Sequence, residues 1–220
     1  MNNKYLKKSE DEDEDDEDFR SNGVLGYSVE SMTFNSYRVH LNEAIKQPDY
    51  YSRFFDMCLR ASEHDNIDLI VSSPGGTIAG MSYILEGLRL TDASTRAIIV
   101  GEASSAASMI ALSCDSLVIT DSSEMLCHSL RGGIGGKMAD VVAYAQHNAK
   151  MSDTLVNTVY EGFLSPDEIR EMQKGEEIYL CADEIRERLN KREEYFKAKE
   201  QALQEPPPVA PKRRTKAPKE

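Results

Sequence analysis

Regular alternation of apolar and polar positions begins only after residue 22. Gly23 to Leu41 alternates and closes on Tyr37-Arg38-Val39-His40-Leu41, the two-residue period of a strand. Pro48 then opens a helix over Tyr50 to Ser62, where Phe54, Phe55, Met57, Cys58 and Leu59 form a broad apolar face. Ile67-Asp68-Leu69-Ile70-Val71 is a short strand, stopped by Ser72-Ser73-Pro74-Gly75-Gly76. Beyond the glycines, Ile78 to Leu90 is a helix with Ile78, Met81, Ile84, Leu85 and Leu88 on one side. Thr95 to Val100 is the next strand, and after Gly101 the small residues around Ser104-Ser105-Ala106-Ala107-Ser108 open an apolar helix that runs to about Leu112. Strands Ser116 to Thr120 and Met125 to His128 follow, separated by a turn at Asp121-Ser122-Ser123.

Strands alternating with helices of this length predict parallel β-α-β units, an α/β fold whose site lies in loops at the carboxyl ends of strands. From Arg131 the pattern changes. Gly132-Gly133-Ile134-Gly135-Gly136 reads as flexible, and Lys137 to about Gly162 as a helix longer than the chain's own core needs, projecting to meet another subunit. Ser165-Pro166-Asp167-Glu168 carries the start signals of a short helix. Glu177 to Leu180 is a short strand, and Ala182 to about Leu203 a charged helix.

Composition adds the tails. The 220 residues carry a net charge of −12, concentrated in the acidic run Asp11 to Asp18, so residues 1–22 are expected to be a disordered acidic arm. A domain over residues 23–203 and a disordered Pro/Lys-rich tail over 204–220 complete the division. The basic tail is read as solubilising, with no specific nucleic-acid target. Four scattered cysteines, Cys58, Cys114, Cys127 and Cys181, suit buried thiols in a reducing cytoplasm better than disulfides or a metal site. An acidic start and the lack of an 18-residue apolar stretch give no reason to expect a signal peptide or a membrane span.

The chemistry concentrates at three strand ends. A small-residue turn from strand to helix lets a short hydroxyl stand where helix N–H groups favour developing negative charge, as a nucleophilic serine requires. Of the four histidines, His64 and His147 lie in polar settings and His40 reads as structural. His128 ends a strand before the glycines and is the best candidate for a general base. Ser73-Pro74-Gly75-Gly76 reads by default as a tight turn; in the functional reading, Gly76 and Ala106 supply the two N–H donors that acyl transfer needs for the oxyanion.

In order and spacing, Ser72-Ser73-Pro74-Gly75-Gly76, Gly101-Glu102-Ala103-Ser104-Ser105, and Met125-Leu126-Cys127-His128 with Gly132-Gly133 resemble the signatures of the Clp protease proteolytic subunit (ClpP) family. That resemblance implies a ClpP/crotonase-like β-α-β superhelix with a protruding handle helix, about residues 131–162. It also implies a serine endopeptidase with Ser105 as nucleophile, His128 as base, and Gly76 and Ala106 as the oxyanion hole. Peptide substrate would pair as an added strand with Gly132, Gly133, Ile134 and Gly135 on one side and the Gly75–Gly76 region on the other. No metal or cofactor is implied. A homo-oligomer is, of heptameric rings stacked as a tetradecamer, fed by a separate AAA+ unfoldase because the chain carries no phosphate-binding Gly-Lys-(Ser/Thr) loop.

Three positions depart from the family pattern. Ala106 stands where Met is usual, a form resembling phage-encoded members. Glu177 stands where the third triad residue is normally Asp, with Glu176 and Asp183 as competitors. The usual hydrophobic ending before an Asp is replaced by Glu187-Arg188-Leu189-Asn190. The phage-like turn raises an alternative, maturation of viral scaffold or capsid proteins during head assembly. A catalytically silent ring or assembly subunit is the rival outside enzymology.

Overall fold

Five parallel runs and one antiparallel run pair into a single sheet in the computed structural model, which describes residues 33–133 and 135–204. The expected acidic arm, the tail beyond Gln204, and Ile134 lie outside the described residues. Strands β1 (Ser36–Leu41), β2 (Asn66–Ser73) and β3 (Ser94–Ser104) pair in parallel, in register from Ser36 opposite Asn66 and from Asn66 opposite Ser94. Ile67, Leu69 and Val71 are buried, as are Ala97 and Ile99 beside them. Burial of each Ile or Val side chain contributes about 1.5–3 kcal/mol.

One face of this sheet carries the crossovers α1 (Ser52–Arg60), entered through the 3-10 turn Pro48–Tyr51, and α2 (Ile78–Leu90). Met81, Ile84 and Leu88 are the buried side of α2, as the apolar spacing predicts. On α1 only Phe54 and Cys58 are buried, and Leu59 is 56% exposed, so the expected broad face is a narrow stripe. The short helix α3 (Ala106–Leu112) is buried at every residue, which small side chains allow in the middle of a fold.

β3 runs four residues beyond the expected end at Val100, because Gly101, at φ +112°, bends the strand without ending it. Before the bend Arg96–Ile99 pair with β4 (Ser116–Ile119), and after it Glu102–Ser104 pair with β5 (Glu124–Cys127). The glycine thus hands β3 from one partner to the next and carries it straight to the serine turn. β6 (Ile178–Cys181) closes the edge antiparallel to β5.

The rest of the chain is helical. α4 (Met138–Val159) buries only Ser152, Val156 and Val159 and leaves Met138, Val142, Tyr144 and Met151 exposed, consistent with a projecting handle. α5 (Pro166–Gln173) starts on the expected cap, with Ser165 and Glu168 forming a reciprocal capping box. α6 (Ala182–Gln204) returns across the body, where the Arg192 guanidinium donates to Leu112 O at 2.9 Å and Val159 O at 3.1 Å and so joins the ends of α3 and α4. Two single-residue expectations fail on strand alternation. Cys181 is exposed because Leu180 takes the inward position, and His40 points outward on β1 between Val39 and Leu41.

Candidate active site

Ser105 sits on the turn between β3 and α3 with φ 57° and ψ −123°, the one non-glycine residue with positive φ among the described residues. Such a conformation costs about 1–3 kcal/mol and persists only where surrounding bonds impose it. Those bonds are present. Ser105 N–H donates to Leu126 O at 2.8 Å, and Ser105 O accepts from Ser108 N–H at 3.0 Å and the Ser108 hydroxyl at 2.7 Å. Ser104 and Ser108 are buried, and the Ser108 hydroxyl is committed to the turn, so Ser105 alone of the three is half-exposed. This is the strand-elbow-helix geometry that presents a nucleophilic oxygen.

The glycine loop is pressed against that turn. A Cβ at Gly75 would lie 2.5 Å from Ser104 O, 2.7 Å from Ser105 Cβ and 2.9 Å from the Ala106 nitrogen, with φ at +86°. Gly75, expected to touch substrate, packs on the serine turn. The segment before the 3-10 turn fastens the loop: Ile45 N–H donates to Gly75 O at 2.7 Å, Thr77 N–H to Ile45 O at 2.8 Å, and Ser73 Oγ to Glu43 O at 2.6 Å. Neither the Gly76 N–H nor the Ala106 N–H has an acceptor among the described residues. The two donors therefore belong to segments in direct contact, as sharing one oxyanion would require. Residues 43–46, which make this clamp, carry no motif and were missed by sequence reasoning.

His128 follows β5 directly and is half-buried, while the N–H of neighbouring Leu130 is held by the Ser152 hydroxyl of α4 at 3.2 Å. Its Nδ1 lies 2.5 Å from Ser129 O. Donation of Nδ1–H to that carbonyl leaves Nε2 as the acceptor, the tautomer a base requires. The register of β5 with β6 pairs Cys127 with Ile178, so one step further Glu177 stands opposite His128. The carboxylate is nevertheless taken elsewhere: Oε1 accepts from Arg131 Nη2 and Oε2 from the Tyr179 hydroxyl at 2.7 Å. The Tyr179 hydrogen bond foremost, with the Arg131 charge, holds the Glu177 carboxyl below the usual range. The expected bond from Glu177 to the imidazole is thus not made in this structure. Of the competitors, Asp183 pairs with Arg186 at 2.8 Å and Glu176 is exposed.

Ser105, His128, Gly76 and Ala106 line one cleft of 370 Å³, whose walls include Ile78, Met81, Met109, Leu126 and Leu130, with Glu102 and Arg131 as its charged residues. Gly132, Gly133 and Gly135 have open space beside them, room for an extended chain, while Ile134 is outside the described residues. Beneath the turn, the Ser108 hydroxyl, already donating to Ser105 O, accepts from the buried Tyr160 hydroxyl at 2.8 Å. Burial raises the Tyr160 pKa well above its usual value and pushes the neighbouring Cys127 thiol up to about 12. Cys127 stays a thiol and offers no rival nucleophile. Among the described residues no group of three or more His, Cys, Asp or Glu is placed to hold a metal, and no helix is long and apolar enough to cross a membrane.

Residues 21–187 match the family model described as Clp protease, a stretch running from before β1 into the second turn of α6. No curated protein matches the chain.

Proposed function

The chain belongs to the Clp protease family, and from that membership together with the cleft we propose that it is a serine endopeptidase. Ser105 Oγ attacks the peptide carbonyl while His128 Nε2 takes its proton. The Gly76 and Ala106 N–H groups receive the oxyanion, His128 returns the proton to the leaving amine, and water then hydrolyses the acyl-enzyme. Glu177 serves as the acid that orients the imidazole when it turns from Arg131 to Nδ1. Substrate lies as an added strand along residues 132–135, with its side chains against the apolar walls.

The observation that supports this most is that a strained serine, a half-buried histidine and two N–H groups without an acceptor among the described residues, drawn from three separate loops, line the same cleft. Cleavage of an unstructured protein substrate tests it. The reading predicts that Ser105→Ala and His128→Ala each lower the rate by at least about a thousandfold while leaving folding intact. Cleavage that survives in Ser105→Ala contradicts it.

A second reading, a catalytically silent subunit, is favoured by one feature, the engagement of Glu177 with Arg131 and Tyr179 in place of His128. A well-folded wild-type chain that cleaves nothing would select it. In either case we infer self-association into rings, supported by the family membership and by the large apolar side chains Met138, Val142, Tyr144 and Met151 that α4 leaves exposed.

A further inference from the structure

Glu177 and His128 stand opposite one another across β5 and β6, yet each is bonded to something else. Arg131 belongs to the cleft wall, is 70% exposed, and among the described residues has Glu177 as its one ion-pair partner. It also immediately precedes the open glycines 132 and 133. A guanidinium so exposed binds its carboxylate weakly, because water screens the pair and the long side chain loses freedom in it. Its positive charge also shares the cleft with the His128 ring.

We propose that Arg131 is a positioning residue that competes with His128 for Glu177. With the cleft empty, Arg131 and Tyr179 hold the carboxylate and the Ser129 carbonyl holds Nδ1–H. A substrate strand laid along residues 132–135 draws the adjoining Arg131 away, and Glu177 then accepts from Nδ1, so that extended peptides complete the site that acts on them. The extra methylene of Glu over Asp gives this carboxylate the reach for both partners. The proposal rests on the reading of Ser105 and His128 as nucleophile and base.

The test compares the rate at which a small fluorophosphonate, too short to reach residues 132–135, labels Ser105 in the full-length chain. Arg131→Gln is expected to label about two- to fivefold faster than wild type, the range an exposed ion pair supports. Arg131→Lys, which keeps the charge, is expected to stay near the wild-type rate. Glu177→Gln slows labelling, and the double variant Arg131→Gln/Glu177→Gln labels no faster than Glu177→Gln alone. On a long peptide substrate the gain from Arg131→Gln shrinks, because the strand already displaces the arginine. Slower or unchanged labelling of Arg131→Gln overturns the proposal, as does a double variant that still outpaces Glu177→Gln. Labelling that persists in Ser105→Ala is a different result, which refutes the underlying nucleophile assignment.

Discussion

Gly75 shows how little freedom the nucleophile turn has. Alanine there places a methyl carbon 2.5 Å from the Ser104 carbonyl at a φ of +86°, and both objections fall on backbone that cannot step aside. Gly75→Ala is expected to lose about 1–3 kcal/mol of stability, which for a chain of this size lowers the melting temperature by roughly 2–4 °C per kcal/mol. It should also fail to cleave substrate, since the Ala106 N–H lies against the same point. Unchanged activity in that variant would detach the glycine loop from the chemistry. Single residues also divide the cysteines: Cys58, Cys114 and Cys127 are buried, and burial pushes the Cys58 thiol up to about 11 and those of Cys114 and Cys127 up to about 12. Native alkylation with iodoacetamide, followed by mass spectrometry, is expected to modify Cys181 and spare the other three.

Between elements, the ties that matter run beneath and behind the serine turn. Tyr160, at the end of α4, donates to Ser108 in α3, so Tyr160→Phe removes one buried hydrogen bond and loosens the carbonyl of Ser105. The expected cost is about 1 kcal/mol, read as a lower melting temperature together with slower cleavage. Arg188 of α6 clasps Glu168 at the start of α5, with contacts of 2.6 and 3.0 Å, and the Arg188 hydrogen bonds foremost lower the Glu168 pKa to about 2. A carboxylate whose folded pKa lies below its unfolded value stabilises the fold above the unfolded value and loses that contribution as pH falls toward the folded one. The melting temperature should therefore drop as pH is lowered from about 5 toward 2, and Glu168→Gln should flatten that dependence. The succession of elements was legible in the sequence because period, proline and capping signals are local: Ile78 to Leu90 and the Ser165 cap emerge as read. The continuation of β3 through Gly101 was not, because a glycine that bends a strand and one that ends it look alike until the pairing partners are known. The same limit hid the Arg131 and Tyr179 bonds to Glu177 and the clamp from residues 43–46, all of which join segments distant along the chain.

Across the whole molecule, the features fall into two halves with different demands. The sheet with α1, α2 and α3 buries a continuous apolar core and holds the cleft. The helix α4 buries only Ser152, Val156 and Val159, which supports the self-association proposed above. Val142→Asp on α4 is expected to shift the proposed oligomer toward smaller species in light scattering coupled to size exclusion, while leaving the far-ultraviolet circular dichroism of the subunit unchanged. A monomeric wild-type chain would contradict the inferred self-association.

The central claim is that one serine, on a turn held at positive φ, is the covalent centre of a peptidase. It is tested most directly by reacting the folded chain with a fluorophosphonate and mapping the adduct by peptide mass spectrometry. The expected result is a single adduct on Ser105, lost in Ser105→Ala and strongly diminished in His128→Ala. An adduct on Ser104, Ser108 or any other residue, or none on a chain that is folded and assembled, would contradict it.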